Sequence, residues 1–192
     1  EVRGRDLIEH HIDEDHQLSV GDEVIGEIDW DRRYSHMRMH TAQHLMSGLA
    51  YELFNGARTV GNQININHSR IDFNPISFDE VMLKKLSDSA NKYVRDSIPV
   101  MDSIMTRQEI NSIMPEERTN MDLLPKSIKD LRVITIGNNF DLCPCAGTHI
   151  SNLSEIGEIS IVGKKSKGKG TQRIKYELNN NYNIRKPNSN II

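Results

Sequence analysis

Two histidines stand four residues apart in His40-Thr41-Ala42-Gln43-His44. On a helix that spacing puts both imidazoles on one face, one turn apart, so that two ring nitrogens can meet at a single metal ion. About a hundred residues later, Cys143-Pro144-Cys145-Ala146-Gly147-Thr148-His149 adds thiols and a third imidazole. Both cysteines of the chain lie in this stretch. Pro144 and Gly147 favour a tight turn that brings Cys145 and His149 to one point. Thiolate and imidazole together are the ligand set that suits zinc. The competing reading is a polar pair at a helix edge and two small buried thiols. A zinc peptidase of the His-Glu-x-x-His type needs the Glu as general base. Thr41 occupies that position and cannot serve. Classical fingers use Cys-x-x-Cys pairs, and the chain has none.

The elements that must position these groups follow from periodicity. From His36 to Phe54, Ala42, Leu45, Met46, Leu49 and Leu53 recur at helical spacing and define one apolar face, with the two histidines beside it. Ser35 is the expected N-cap, and Asn55-Gly56 the stop. Strands are expected at 58–66 and 69–73. Ser77-Phe78-Asp79-Glu80 reads as a capping box opening a second helix to about Arg95, and Thr106 to Glu109 as another before a short helix that ends by Pro115. Further strands are expected at 131–136, 158–162 and 171–178, the last two joined by a Gly/Lys-rich connection. The order predicts an α+β domain at 36–178: a largely antiparallel sheet with two long helices on one face. Residues 1–35 are acidic, carry one strand-like stretch at 23–28, and read as the C-terminal part of an incomplete β-barrel-like domain. Residues 179–192 read as a polar tail.

With 192 residues and 36% apolar content, the chain is long enough to bury a core. Its net charge of −3 argues against generic coating of nucleic acid but leaves room for a local basic patch. The patch is at Lys164, Lys165, Lys167, Lys169, Arg173 and Lys175, with no acid between them. Such a run suits phosphate contacts; its alternative is a solvated hairpin tip. Two cysteines cannot build a disulfide framework, no signal peptide opens the chain, and no apolar run reaches the ~20 residues of a membrane span. A cytoplasmic location is expected.

The ordered set of motifs resembles the editing domain of alanyl-tRNA synthetase, and most of all the freestanding alanyl-tRNA editing proteins of AlaX type. The likeness runs from about residue 20 to 178. It includes His40 to Leu45, Cys145-Ala146-Gly147-Thr148-His149, Ile28 to Arg33, His36-Met37-Arg38, Gly61 to Ile64, Arg70 to Phe73 and Ser154 to Gly157. Threonyl-tRNA synthetase carries a related domain; the Ala-Gly-Thr-His turn favours the alanyl branch. The resemblance implies hydrolysis of the ester that joins a wrong amino acid, typically serine, to alanine tRNA. It also implies one zinc ion held by His40, His44, Cys145 and His149. Ala146 departs from the family's usual Gly, and the Gly-rich segment linked to discrimination against glycine is absent from this sequence.

Within that reading, Gln63 and Arg70 are candidates to bind the substrate amino acid or ribose. Thr148 and the Gly147 amide are candidates to meet a serine hydroxyl or the ester oxygen, which alanine would leave unpaired. Lys164, Lys165, Lys167, Lys169 and Arg173 are the expected tRNA contacts. Zinc can activate water or polarise a carbonyl through an open coordination position. Four protein ligands would close the tetrahedron, so either one ligand is displaceable or the metal orients the site while another water attacks. No general base stands out; Asp141 is the nearest carboxylate, with an exposed turn position as its plainer reading. The alternatives are a non-catalytic, zinc-stabilised RNA-binding module, a threonyl-type editing domain, or a hydrolase of another small ester.

Overall fold

The computed structural model describes residues 10–13 and 15–179. Helix α1 spans Trp30–Leu53, six residues more at its start than the apolar period suggested. Asp29 rather than Ser35 is the N-cap, its carboxylate accepting from the Arg32 amide. Ser35 lies inside the first turns and donates to the Asp31 carbonyl. Ala42, Leu45, Met46 and Leu49 are buried as their spacing requires. Asn55 and Gly56 take positive φ and end the helix.

Strands β1 (Arg58–Gln63) and β2 (Ser69–Asn74) form a hairpin, followed by α2 (Glu80–Arg95). Asp79, not Ser77, caps α2 through the Met82 amide. Strand β3 (Val100–Thr106) was not legible in the sequence. Helix α3 (Arg107–Ile113) has the expected Thr106/Glu109 capping box, and the four-residue α4 (Glu116–Thr119) follows. Strands β4 (Asp130–Ile136), β5 (Asp141–Pro144), β6 (Ile159–Gly168) and β7 (Thr171–Leu178) complete the chain. The Gly/Lys-rich connection is therefore mostly strand: β6 runs on to Gly168, and Lys169-Gly170 alone turn the hairpin.

The fold is α+β, and every strand pairing is antiparallel. The strands divide into two sheets, β1-β2-β7-β6 and β3-β4-β5. The apolar faces of α1 and α2 share a core with Ile71 and Phe73 of β2, Ile174 and Tyr176 of β7, and Ile134 and Ile136 of β4. A second, smaller core joins Leu131 and Val133 of β4 to Ile110, Met114, Met121 and Leu142. Strand β4 thus gives alternate side chains to two cores, which accounts for the burial of four consecutive residues, Val133 to Ile136.

Among the described residues before α1 there is no strand. The expected stretch at 23–28 finds no partner for its backbone, and Val24, Ile25 and Ile28 are exposed. The tail from residue 180 onward lies outside the described residues, and no closed barrel is formed among them.

Candidate metal centre

Helix α1 carries His40 and His44 to the end of β5, where Cys145 continues the strand by donating its amide to the Arg132 carbonyl at 2.9 Å. His149 follows across a turn. The four ligand atoms of His40, His44, Cys145 and His149 lie within 4.8 Å of one another. Cys145 Sγ is 3.6 Å from His40 Nε2 and 3.5 Å from His149 Nε2. A tetrahedral zinc with Zn–S near 2.3 Å and Zn–N near 2.05 Å separates sulfur from nitrogen by about 3.6 Å. The donor set and its spacing therefore fit such an ion.

Two of the three rings, His44 and His149, are turned by what the other nitrogen touches. His44 Nδ1 faces Asp141 Oδ2 at 3.2 Å, so it carries the proton and leaves Nε2 for the cluster. Thr41 gives its single hydroxyl proton to the Met37 carbonyl, so its oxygen accepts from His149 Nδ1 at 3.0 Å. Thr41, unfit to be a general base, is thus fit to orient a ligand. Arg132 on β4 donates to the Cys145 and Gly147 carbonyls at 2.9 and 2.8 Å and holds the ligand turn. A Cβ at Gly147 would lie 2.4 Å from His40 Cε1, so a glycine is needed there for close approach. Ala146 is exposed.

Without a metal the cluster polarises itself. Burial works against charge on His44, but its hydrogen bonds to Asp141 and Cys145, and their charges, raise it to about 9. Burial opposes the Cys145 thiolate, yet hydrogen bonds from His149, His40 and His44 lower it to about 3. Burial holds His149 down to about 4, against its bond to Cys145. Cys143, two residues away, is half-buried beside Asp141 and Cys145, and desolvation pushes its thiol well above the ordinary range. One cysteine is an anion ready for a cation; the other is a small half-buried thiol whose sulfur meets the Thr119 carbonyl.

A cavity of about 280 Å³ opens from His40, His44 and Cys145. That is just below the ~300–1,000 Å³ of drug-sized ligand sites, a size for a small polar group. Gln43, Ser47 and Tyr51 line it from α1, Thr59 and Asn62 from β1, and Arg118 and Asn120 from the segment around α4. Gln43 donates to Ser47 at 2.8 Å, and Ser47 shares a proton with Thr59 at 2.6 Å. Arg118 stacks over the Tyr51 and Phe140 rings and pairs with Glu52 at 3.3 Å. Its buried Nε has no partner among the described residues. The i, i+4, i+8 row of polar residues at 43, 47 and 51, in step with the two histidines, was a periodic signal that would have found this wall.

The other expected contacts lie elsewhere. Gln63 is exposed and accepts from Arg70 Nε at 2.9 Å; neither lines the cavity. Val60 is a bulge, with Thr59 opposite Phe73 and Gly61 opposite Asp72. The extra residue reverses the alternation, so Asn62 faces the core side and Gln63 the outer side. Thr148 is exposed and outside the cavity wall. Arg173 holds Asp72 with two bonds of 2.6 and 2.7 Å, and Lys164 pairs with Glu80 at 2.9 Å. Lys165, Lys167 and Lys169 are exposed and form no ion pair with the described residues.

Residues 131–175 match the family model described as the threonyl and alanyl tRNA synthetase second additional domain. The match covers β4 to most of β7 and so includes Cys145 and His149. Over 174 residues the chain is 34% identical to an alanyl-tRNA editing protein AlaX-M of Methanosarcina barkeri, covering 89% of this chain and 71% of the relative. It is 36% identical over 172 residues to an AlaX-M protein of Saccharolobus solfataricus, covering 88% and 70%. It also matches 19% of an alanine–tRNA ligase of Sulfurisphaera tokodaii, at 32% identity over 177 residues. The chain belongs to the AlaX family of alanyl-tRNA editing proteins.

Proposed function

We propose that this chain is a metal-dependent deacylase of mischarged alanine tRNA, acting in trans on Ser-tRNA(Ala), with zinc held by His40, His44, Cys145 and His149. The observation that carries the reading is the convergence of one thiolate and three imidazoles within 4.8 Å of one another beside a small polar cavity. A bound divalent ion supplies Lewis acidity, which assists attack of water on an already activated ester. The residues of the chain do the rest. Thr41 and Arg132 hold the ligands in place. The Gln43–Ser47–Thr59 chain presents hydroxyls to a polar aminoacyl group, and Asn62 and Asn120 offer amides from the opposite wall. A site built on hydrogen bonds discriminates against a ligand that lacks the matching hydroxyl, because its own groups then stay unpaired.

The outer face of the four-stranded sheet supports RNA as the carrier of that ester. Directly opposite residues in antiparallel strands share a face, so Gln63, Arg70 and Lys175 form one row, and Asp72, Arg173 and Lys165 the next. Four cations against one carboxylate make this a phosphate-binding surface. Lys164, by contrast, points to α2. The β1 edge that walls the cavity and the β6 edge that carries the lysines are three strand spacings apart, roughly 14 Å.

The test is a deacylation panel of Ser-, Gly- and Ala-tRNA(Ala) with metal-loaded and chelated protein. Metal-dependent loss of the seryl ester, with alanyl ester spared, is expected. Ester loss at the buffer rate in the loaded protein overturns the enzyme reading and leaves a metal-stapled RNA-binding module.

A further inference from the structure

In the sequence Asp141 is one carboxylate among many, in a segment that reads as a surface turn. The structure buries it to 5% exposure at the start of β5. Its Oδ2 takes the Nδ1–H of His44, itself 6% exposed. Space for it comes from α1: one turn after His44 stands Gly48, and a Cβ there would lie 3.1 Å from the Phe140 ring and 3.3 Å from Asp141 Oδ1. A glycine inside a helix costs about 1 kcal/mol relative to alanine. Here the cost is tied to a close approach of β5 that a methyl group would resist. The groups facing this carboxylate from the packed elements are His44 on α1, Phe140 before β5, and Cys143 within β5.

We infer that Asp141 is a positioning residue of the metal centre: it fixes the tautomer and ring angle of His44 so that Nε2 points at the ion, and Gly48 is the gap that admits it. The inference rests on the metal reading given above. A carboxylate behind a histidine ligand raises the basicity of the ligating nitrogen and lowers the entropy lost on binding. Removal of such a partner weakens metal binding without removing a ligand, a signature that a purely structural carboxylate lacks.

The test titrates Co²⁺ into metal-free protein, follows the thiolate-to-cobalt and d–d absorption bands, and measures Zn²⁺ affinity by chelator competition. No RNA is needed. Asp141→Asn should retain the four-ligand cobalt spectrum and bind Zn²⁺ about 10- to 100-fold more weakly. Gly48→Ala, which keeps the carboxylate and crowds it, should weaken binding less and in the same direction. Affinity within twofold of wild type in Asp141→Asn overturns the inference; if that variant does not fold, unchanged affinity in Gly48→Ala does so. A wild-type chain that shows no cobalt bands overturns the metal reading itself, and this inference with it. Normal metal affinity with no tRNA cleavage would count against the proposed reaction alone.

Discussion

His44 and Lys165 are both basic side chains, yet the molecule treats them in opposite ways. His44 is buried between Asp141 and Cys145, and each of its nitrogens has an assigned partner. Lys165 stands in the open on the outer sheet face opposite Arg173, without an ion pair among the described residues. The difference is between chemistry that depends on distance and chemistry that depends on the sum of charges. At the cluster, a shift of a few tenths of an ångström changes whether ligands converge. On the sheet face any one cation is a fraction of a field that salt screens.

The sharpest way to break the comparison is at the cluster. His44→Ala should lower zinc affinity by more than about 100-fold, beyond what loss of an outer partner costs, and abolish deacylation; atomic absorption showing retained zinc would remove His44 from the ligand set. Gly147→Ala should do nearly the same through a collision with His40.

Proton linkage gives the next largest effect, in the metal-free chain. Cys145 falls from its ordinary 9 to about 3, so its stabilisation is complete above pH 9 and is lost as pH falls to 3. His44 rises from 6.5 to about 9, so its contribution is complete below 6.5 and is lost as pH climbs through 9. Between 6.5 and 9 the two slopes cancel. Below 6.5 Cys145 and the depressed His149 both reduce stability on acidification. Wild-type stability should therefore be level from pH 6.5 to 9 and fall below 6.5, read from urea melts. At pH 7, iodoacetamide should label the thiolate of Cys145 and spare the protonated thiol of Cys143, with zinc protecting the former.

On the sheet face the effects are smaller and additive. Lys165→Gln with Lys175→Gln should weaken tRNA binding and flatten the log–log salt slope by about 1.4–1.8, at 0.7–0.9 per cation. Lys164→Gln, already paired with Glu80, should change the slope by much less. An equal effect from Lys164 would return the whole run to an undifferentiated flexible cation cluster. Arg173→Gln should mainly cost fold stability, about 1–2 kcal/mol for the lost bonds to Asp72 after allowance for their partial exposure.

The same contrast explains what the sequence revealed. Helix α1 was legible from the spacing of Ala42, Leu45, Met46 and Leu49, and the cluster because a histidine pair one helical turn apart and a Cys/His turn together match a metal-ligand pattern. Strand β3 was not, because Met101 and Ile104 are exposed and leave no alternating face to read. Strand β5 is four residues long and ends in Pro144. Gln63 lies on the outer face because the Val60 bulge shifts the alternation of β1, a feature no local pattern marks. The place of Asp141 depends on an approach between α1 and β5 that no local pattern records.

Strand β4 has a consequence for how faults would spread. It sends Ile134 and Ile136 to one interior and Leu131 and Val133 to the other, while Arg132 reaches the Cys145 and Gly147 carbonyls. A slip of a single residue would swap both sets of apolar side chains and drag the guanidinium off its two acceptors at once. The geometry around the thiolate is therefore insured by two separate hydrophobic locks, and damage at Ile110 or Met121, far from any ligand in the chain, would be felt there.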